Sequence, residues 1–273
     1  MHPGISFKQR VSENKILPLV GVHDIFSATI AAKHFEGVFC SGLSYAASSY
    51  GKPDVGFVNW RDMIDFSTRL RAIIPEKHIL VDIDDGFGDE NVCSSTVKEL
   101  DLHNLSAVML EDQSRPRKCG HYDGKVLISI EEYIIKLRSA LNNRESLFII
   151  ARTDETDYVK GIERVSKYEE AGADAVMVEA VKNINEIKEI SKNVSVPIMV
   201  NQIHGGKSPN FSLKELEDAG VSIVIYSSPT LFAAQHGIEN YLIKLKDQEK
   251  LHDDGTVSFE EFNKLIYSRF DLT

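Results

Sequence analysis

At 273 residues, with 42% hydrophobic and 26% charged residues, the chain is long enough for one large single-core domain of the α/β barrel kind. The net charge of −10 leaves no basic stripe to displace counterions, which excludes general nucleic-acid binding. Three cysteines (Cys40, Cys93, Cys119) make no disulfide framework, Met1 to Arg10 has no apolar leader core, and no apolar run reaches the roughly 18 residues of a membrane span, so a soluble cytoplasmic protein is expected.

Short β-branched runs recur along the chain. In order they are Ile16 to Asp24, Gly37 to Gly42, His78 to Asp84, Ser106 to Asp112, Leu147 to Thr153, Asp174 to Ala180, Pro197 to Gln202 and Ser222 to Ser227. Between them lie amphipathic stretches of helix length, such as Trp60 to Ile74, Glu131 to Asn142, Gly161 to Ala171, Ile184 to Lys192 and Ser212 to Ala219. Gly172 and Gly220 follow two of these as helix C-caps do. Eight strand–helix units in sequence predict a (β/α)8 TIM barrel. A doubly wound open sheet is the alternative, but it usually brings a glycine-rich phosphate turn after the first strand, and His23-Asp24-Ile25-Phe26 is not one.

Nearly every predicted strand ends in a residue able to do chemistry: Asp24, Ser41, Asp82 with Asp84, Glu111 with Asp112, Arg152, Glu179, Asn201 and Tyr226. In a barrel these positions converge on the C-terminal mouth of the strands. The third run continues as Asp82-Ile83-Asp84-Asp85-Gly86-Phe87-Gly88-Asp89. In an extended chain Asp82 and Asp84 share a face, and two such carboxylates repel unless a cation lies between them. Hard oxygen ligands suit Mg2+, with Mn2+ an alternative. An acidic loop capping a helix that starts near Asp89 is the other reading.

The tail from Gln248 to Thr273 contains Asp253-Asp254-Gly255, which superficially resembles a calcium loop, but the required ligand positions fall on Lys250 and His252. Ser258 with Glu261 predicts a capping box instead, and Phe262, Leu265, Ile266 and Phe270 form an apolar stripe for the barrel or a partner subunit. Residues 1–247 are read as the barrel and residues 248–273 as a helical tail.

Four stretches carry a resemblance to the phosphoenolpyruvate mutase/isocitrate lyase superfamily over roughly residues 15–245. They are Ser41-Gly42-Leu43 with Gly51-Lys52-Pro53-Asp54; Asp82 to Gly88; Glu111-Asp112-Gln113 leading to Lys118-Cys119-Gly120-His121; and Ala151-Arg152-Thr153-Asp154. The wording of residues 111–125, 201–209 and 226–235 is most similar to its carboxyphosphonoenolpyruvate phosphonomutase branch. The resemblance implies a Mg2+ held by Asp82, Asp84 and Glu111, partly through water, chelating a pyruvate-like fragment. It also implies a substrate carboxylate held by Ser41 and the amides of Gly42 and Leu43, Asp54 near the metal shell, and Arg152 beside the developing enolate oxygen. Without the resemblance, Arg152 would equally read as a salt bridge to Asp82 or Glu111.

By the same resemblance, Lys118-Cys119-Gly120-His121 belongs to a gating loop that brings Lys118 and His121 to an anionic substrate. Cys119 is the acid/base of the carbon–carbon lyases there, and its flanking Lys118 and His121 are expected to favour the thiolate. Glu179, Asn201 and Lys207 would face the distal part of the substrate, while Cys40 and Cys93 are packing residues. The leading expectation is a phosphonomutase forming a phosphorus–carbon bond. The alternatives are a lyase of the methylisocitrate or dimethylmalate type releasing a 2-oxo acid, and a barrel that has lost catalysis and serves as an assembly protein. A homotetramer, or a dimer, exchanging the helix near Thr230 to Lys246 is also implied, with a small anionic 2-oxo acid or phosphonate as substrate.

Overall fold

The eight apolar runs close on themselves. In the computed structural model, which describes residues 1–13 and 15–268, they form β1 (Leu17–Val22), β2 (Gly37–Cys40), β3 (His78–Asp82), β4 (Ala107–Glu111), β5 (Phe148–Thr153), β6 (Ala175–Val178), β7 (Ile198–Gln202) and β8 (Val221–Tyr226). Neighbours in sequence pair in parallel, and β8 returns to β1 through Leu17 opposite Ile223, so the sheet is a closed (β/α)8 barrel. Strands buried on both faces need apolar residues at every position. One set, including Leu19, Phe39, Leu80, Met109 and Ile150, fills the barrel, and the alternate set, including Val20, Val38, Val81, Val108 and Ile149, packs under the helices.

The helices begin where the sequence supplies caps. Capping boxes join Asn59 with Asp62 before Trp60–Ile73, Ser129 with Glu132 before Ile130–Asn143, and Ser212 with Glu215 before Leu213–Asp218. Each contributes about 1 kcal/mol. Gly172 and Gly220 end their helices at φ of 106° and 92°, a left-handed backbone that a Cβ would strain.

One helix has no counterpart among the sequence expectations. Pro3–Val11 inserts Phe7 and Val11 into the inner core, and Phe7 meets His78 edge-on at 5.4 Å and Phe148 at 5.1 Å. Those partners are the first residues of β3 and β5, so this helix covers the end of the barrel opposite the strand C-termini.

The chain forms two compact units, Met1–Thr230 and Leu231–Thr273. In the second, Tyr241 stacks on His252 at 4.2 Å, and the expected box at Ser258 and Glu261 caps Phe259–Tyr267. Helix Pro229–Gln248 carries Ile238, Leu242 and Ile243 more than half exposed. Phe270 of the expected stripe lies outside the described residues. Among the described residues no helix is long and apolar enough to cross a membrane.

Candidate active site

At the C-terminal mouth of the barrel a cavity encloses about 30 Å³. Ser41, Leu43, Asp54, Asp82, Cys119, Gly120, His121, Arg152, Glu179 and Asn201 line it, together with Arg117 and Ser227. Most of the strand-end residues singled out in the sequence are therefore brought together. Asp24 is not: it caps helix Ile25–Ala31. Tyr226 packs with the outer core, and its neighbour Ser227 lines the cavity instead.

The acidic run after β3 divides its work. Asp82 accepts hydrogen bonds from the amides of Gly42 (3.3 Å) and Asp84 (3.2 Å). Asp84 turns through φ 47°, so the two carboxylates converge by a left-handed turn rather than by strand alternation. A Cβ on Gly42 would stand 3.2 Å from Asp82 Oδ2 and 3.4 Å from Asp84 Oδ1, which puts both carboxylates against one glycine. Asp85 turns away to a bidentate pair with Arg115 at 2.7 and 2.8 Å, and Asp89 caps helix Glu90–Leu102. The capping reading of this stretch thus applies to Asp89 and not to Asp82 or Asp84.

Arg117, which the sequence does not single out, ties the cluster together. Its Nε donates to Glu111 Oε1 at 2.8 Å, and its Nη1 pairs with Asp54 and lies 3.3 Å from Asp84 Oδ1. Burial pushes the Asp84 carboxyl well up, with Asp82, Asp54 and Glu111 adding to the rise and Arg117 opposing it. Burial also raises Asp82, and takes Glu111 up to about 7 against the pull of Arg117 and Arg152. Asp84 Oδ1 is buried with no aligned hydrogen-bond donor, although Arg117 is within ion-pair distance. An orphaned carboxylate oxygen among hard oxygen donors fits a small divalent cation. Among the described residues no three His, Cys, Asp or Glu groups stand close enough together to cage an ion directly.

Across the cavity, Arg152 forms a two-pronged bond to Asp154 at 2.9 and 3.0 Å and pairs with Glu179 (3.3 Å) and Glu111 (3.4 Å). The expected bridge to Glu111 exists, but Asp154 is the main partner. It was legible two residues on from Arg152 along the same strand face. Burial would raise the Glu179 carboxyl, yet Arg152 and then His121 hold it well below the usual carboxylate range. Asn201 Nδ2 reaches both Glu179 oxygens at 3.4 Å and takes the Ser227 hydroxyl on its own oxygen.

The loop after β4 seals the mouth. Cys119 is 9% exposed, and burial followed by Asp54 pushes its thiol up to about 11. The expected thiolate is therefore corrected toward a protonated thiol: burial and Asp54 outweigh the downward pull of the His121 backbone N–H and of Arg152, and Lys118 is not among the groups that act on it. Lys118 does not line the cavity and runs out over Gly124. Lys207 likewise pairs outward with Asp123 at 2.5 Å, and only its backbone N–H reaches inward, to His121 Nδ1 at 3.0 Å. Gly120 sits so close to the floor that a Cβ there would overlap the Arg152 guanidinium and stand 2.7 Å from Glu179 Cγ.

A carboxylate cluster, an arginine and a buried thiol gathered at the mouth of a (β/α)8 barrel have the make-up of an enzyme active site. The chain belongs to the phosphoenolpyruvate phosphomutase family, whose model matches residues 7–246. It is 35% identical to the 2-methylisocitrate lyase of Halalkalibacterium halodurans over 97% of this chain and 90% of that one. It is 34% identical to the chloroplastic carboxyvinyl-carboxyphosphonate phosphorylmutase of Arabidopsis thaliana over 95% of this chain and 80% of the relative. The crystal structure of phosphonopyruvate hydrolase in complex with oxalate and Mg2+ superposes with a TM-score of 0.87 at 22% identity, covering 99% of this chain and 97% of that one.

Proposed function

We propose that the chain is a divalent-cation-dependent carbon–carbon lyase that splits a malate-type 2-hydroxy acid and releases pyruvate or a related 2-oxo acid. The observation that carries this reading is Cys119, a thiol kept protonated in the cavity wall. Cleaving a carbon–carbon bond beside a carboxylate leaves an enolate that must be protonated at carbon, and a protonated thiol is a donor for that step. Moving a phosphorus group from oxygen to carbon requires no such proton.

The roles follow from the geometry. The first turn of helix Gly42–Tyr50, with Ser41 at its cap, offers the Leu43 amide and a positive dipole end to the substrate carboxylate, the Gly42 amide being taken by Asp82. Asp82, Asp84 and Glu111 would hold a Mg2+ or Mn2+ ion, which would supply positive charge for the substrate's oxygens. Asp54 takes the hydroxyl proton as the C–C electron pair moves into the departing fragment, and the Cys119 Sγ–H proton goes to that fragment's carbon. Arg152 steadies the oxygens on the opposite wall. Glu179, Asn201 and His121 border the distal end. The loop carrying Cys119 borders the cavity and would be the part that moves to admit substrate.

The phosphonomutase is the second reading, supported by the likeness to the Arabidopsis thaliana mutase. The deciding experiment offers 2-methylisocitrate and 2,3-dimethylmalate in a coupled pyruvate assay, and phosphoenolpyruvate-type phosphorus substrates by phosphorus NMR, with Mg2+ present. Release of a 2-oxo acid that Cys119→Ser abolishes supports the lyase; a new phosphorus–carbon resonance would replace it. We also propose assembly as a tetramer through helix Pro229–Gln248, whose exposed Ile238, Leu242 and Ile243 need a cover. Light scattering that finds monomers would remove that part.

A further inference from the structure

We propose that Gln113 and Lys125 are positioning residues that bracket Cys119 and hold its thiol in the cavity wall. The loop between them is pinched at its base by a backbone bridge, with Gln113 opposite Leu127 and the Ser114 N–H donating to Val126 O at 2.7 Å. Inside the loop, the two residues flanking Cys119 are each caught by a side chain from outside the cavity. Gln113 Nε2 donates to Lys118 O at 2.8 Å, and its Oε1 accepts the Lys118 N–H at 2.9 Å. One amide thus serves Lys118 as a strand partner would. On the other side, Lys125 Nζ donates to Gly120 O at 2.5 Å and to Asp154 Oδ1 at 3.0 Å.

Both side chains are almost wholly buried, Gln113 at 1% and Lys125 at 3% exposure, so water competes little for these bonds. Neither lines the cavity. Their bonds go to backbone atoms of residues 118 and 120, and Lys125 extends through Asp154 to Arg152. Lys125 therefore fixes the loop to the same carboxylate that orients the arginine. Moving Cys119 out of the wall breaks both brackets, whatever side chain residue 118 carries.

The consequence for turnover rests on the reading of Cys119 as proton donor, but the loop geometry does not, so the test reads the loop directly. The full-length protein is alkylated with iodoacetamide at fixed pH, and labelling of each cysteine is followed by mass spectrometry. Cys40 and Cys93, both 0% exposed, report general unfolding in the same sample. Gln113→Glu keeps the size and the acceptor for the Lys118 N–H but loses the donor to Lys118 O. Lys125→Met removes both Nζ bonds, and Lys125→Arg restores a cationic donor.

With one bracket lost, Cys119 is expected to label about tenfold faster in Gln113→Glu and Lys125→Met, the size of one buried hydrogen bond. Cys40 and Cys93 keep their parental rates, and Lys125→Arg returns Cys119 toward the parental value. Parental labelling of Cys119 in both variants would overturn the proposal. So would equal acceleration at all three cysteines, which marks a general structural role. With an active substrate, the variants lose kcat more than they raise KM. Absence of turnover on every substrate offered would count against the lyase reading and leave the labelling result standing.

Discussion

Replacing Arg117 by Met tests how the carboxylate cluster is balanced. The guanidinium is 2% exposed and compensates Asp54, Asp84 and Glu111, of which the last two are 3% and 1% exposed. Removing one partner from a buried ionic cluster costs about 3–5 kcal/mol, because the remaining charges have neither water nor counter-ion. Glu111, already raised to about 7, can take up a proton and relieve part of this, so the low end applies: about 3 kcal/mol near neutral pH. At about 2–4 °C per kcal/mol for a unit of this size, Arg117→Met in a chelator melts about 6–12 °C below the parent. A divalent ion bound to the same carboxylates restores the missing charge and, at about a hundred times its Kd, returns about 2.7 kcal/mol. The assay is thermal unfolding by circular dichroism of both proteins, with chelator and with Mg2+. Equal melting temperatures in chelator, or an equal Mg2+ shift in both, would refute the reasoning.

Asp84→Ala is expected to abolish turnover while leaving the chelated protein at least as stable, since it removes a buried carboxylate whose neutral form burial already favours; full activity would remove the metal assignment. The raised Glu111 group also makes the ion-free protein pH-dependent. Its folded value of about 7 exceeds the ordinary 4.5, so the stabilisation is complete below the lower value and is lost as pH rises to the upper one, with a slope of up to about 1.4 kcal/mol per pH unit. Melting curves in chelator across that range check this, and a flat profile contradicts it. Alkylation of parental Cys119 climbs with pH toward about 11, whereas a plateau near neutrality would mean an activated thiolate. Phe7→Ala, which empties a fully buried site in the barrel floor, costs about 3–5 kcal/mol in denaturant titration; a cost below about 1 kcal/mol would deny the plug its part in the core.

The barrel was legible because each strand is buried on both faces and must be apolar throughout, while each helix shows a single apolar stripe. The strand-end residues on the inner face were legible for the same reason, since a polar side chain there has the mouth to face; Asp24, which caps a helix, Asp112, which bonds Arg164 and Tyr168, and Tyr226, which packs with the outer core, do not. What local sequence does not reveal is which side chains of an irregular loop turn inward. Arg115, Arg117 and Lys118 are all cationic residues of one short stretch, yet the loop sends Arg117 to Glu111, Arg115 to Asp85 and Lys118 outward. Lys207 is turned away in the same manner. The thiol of Cys119 was misjudged because its titration is governed by burial and by Asp54, which lies 65 residues earlier in the chain. The helix Pro3–Val11 went unread because its two core contacts, Phe7 and Val11, are too few to make a periodic signal.

Gly120 makes the docked loop and the cavity floor fit as one piece. The clearance there is less than a methyl group, set by Arg152 from one strand and Glu179 after the next. A side chain at residue 120 would claim space that the Arg152, Glu179 and Asp154 side chains already fill. Grafting this loop onto another barrel of the family would therefore succeed only with its two floor residues carried along, and a Gly120→Ala chain would keep every chemical group of the site while failing to bring them together.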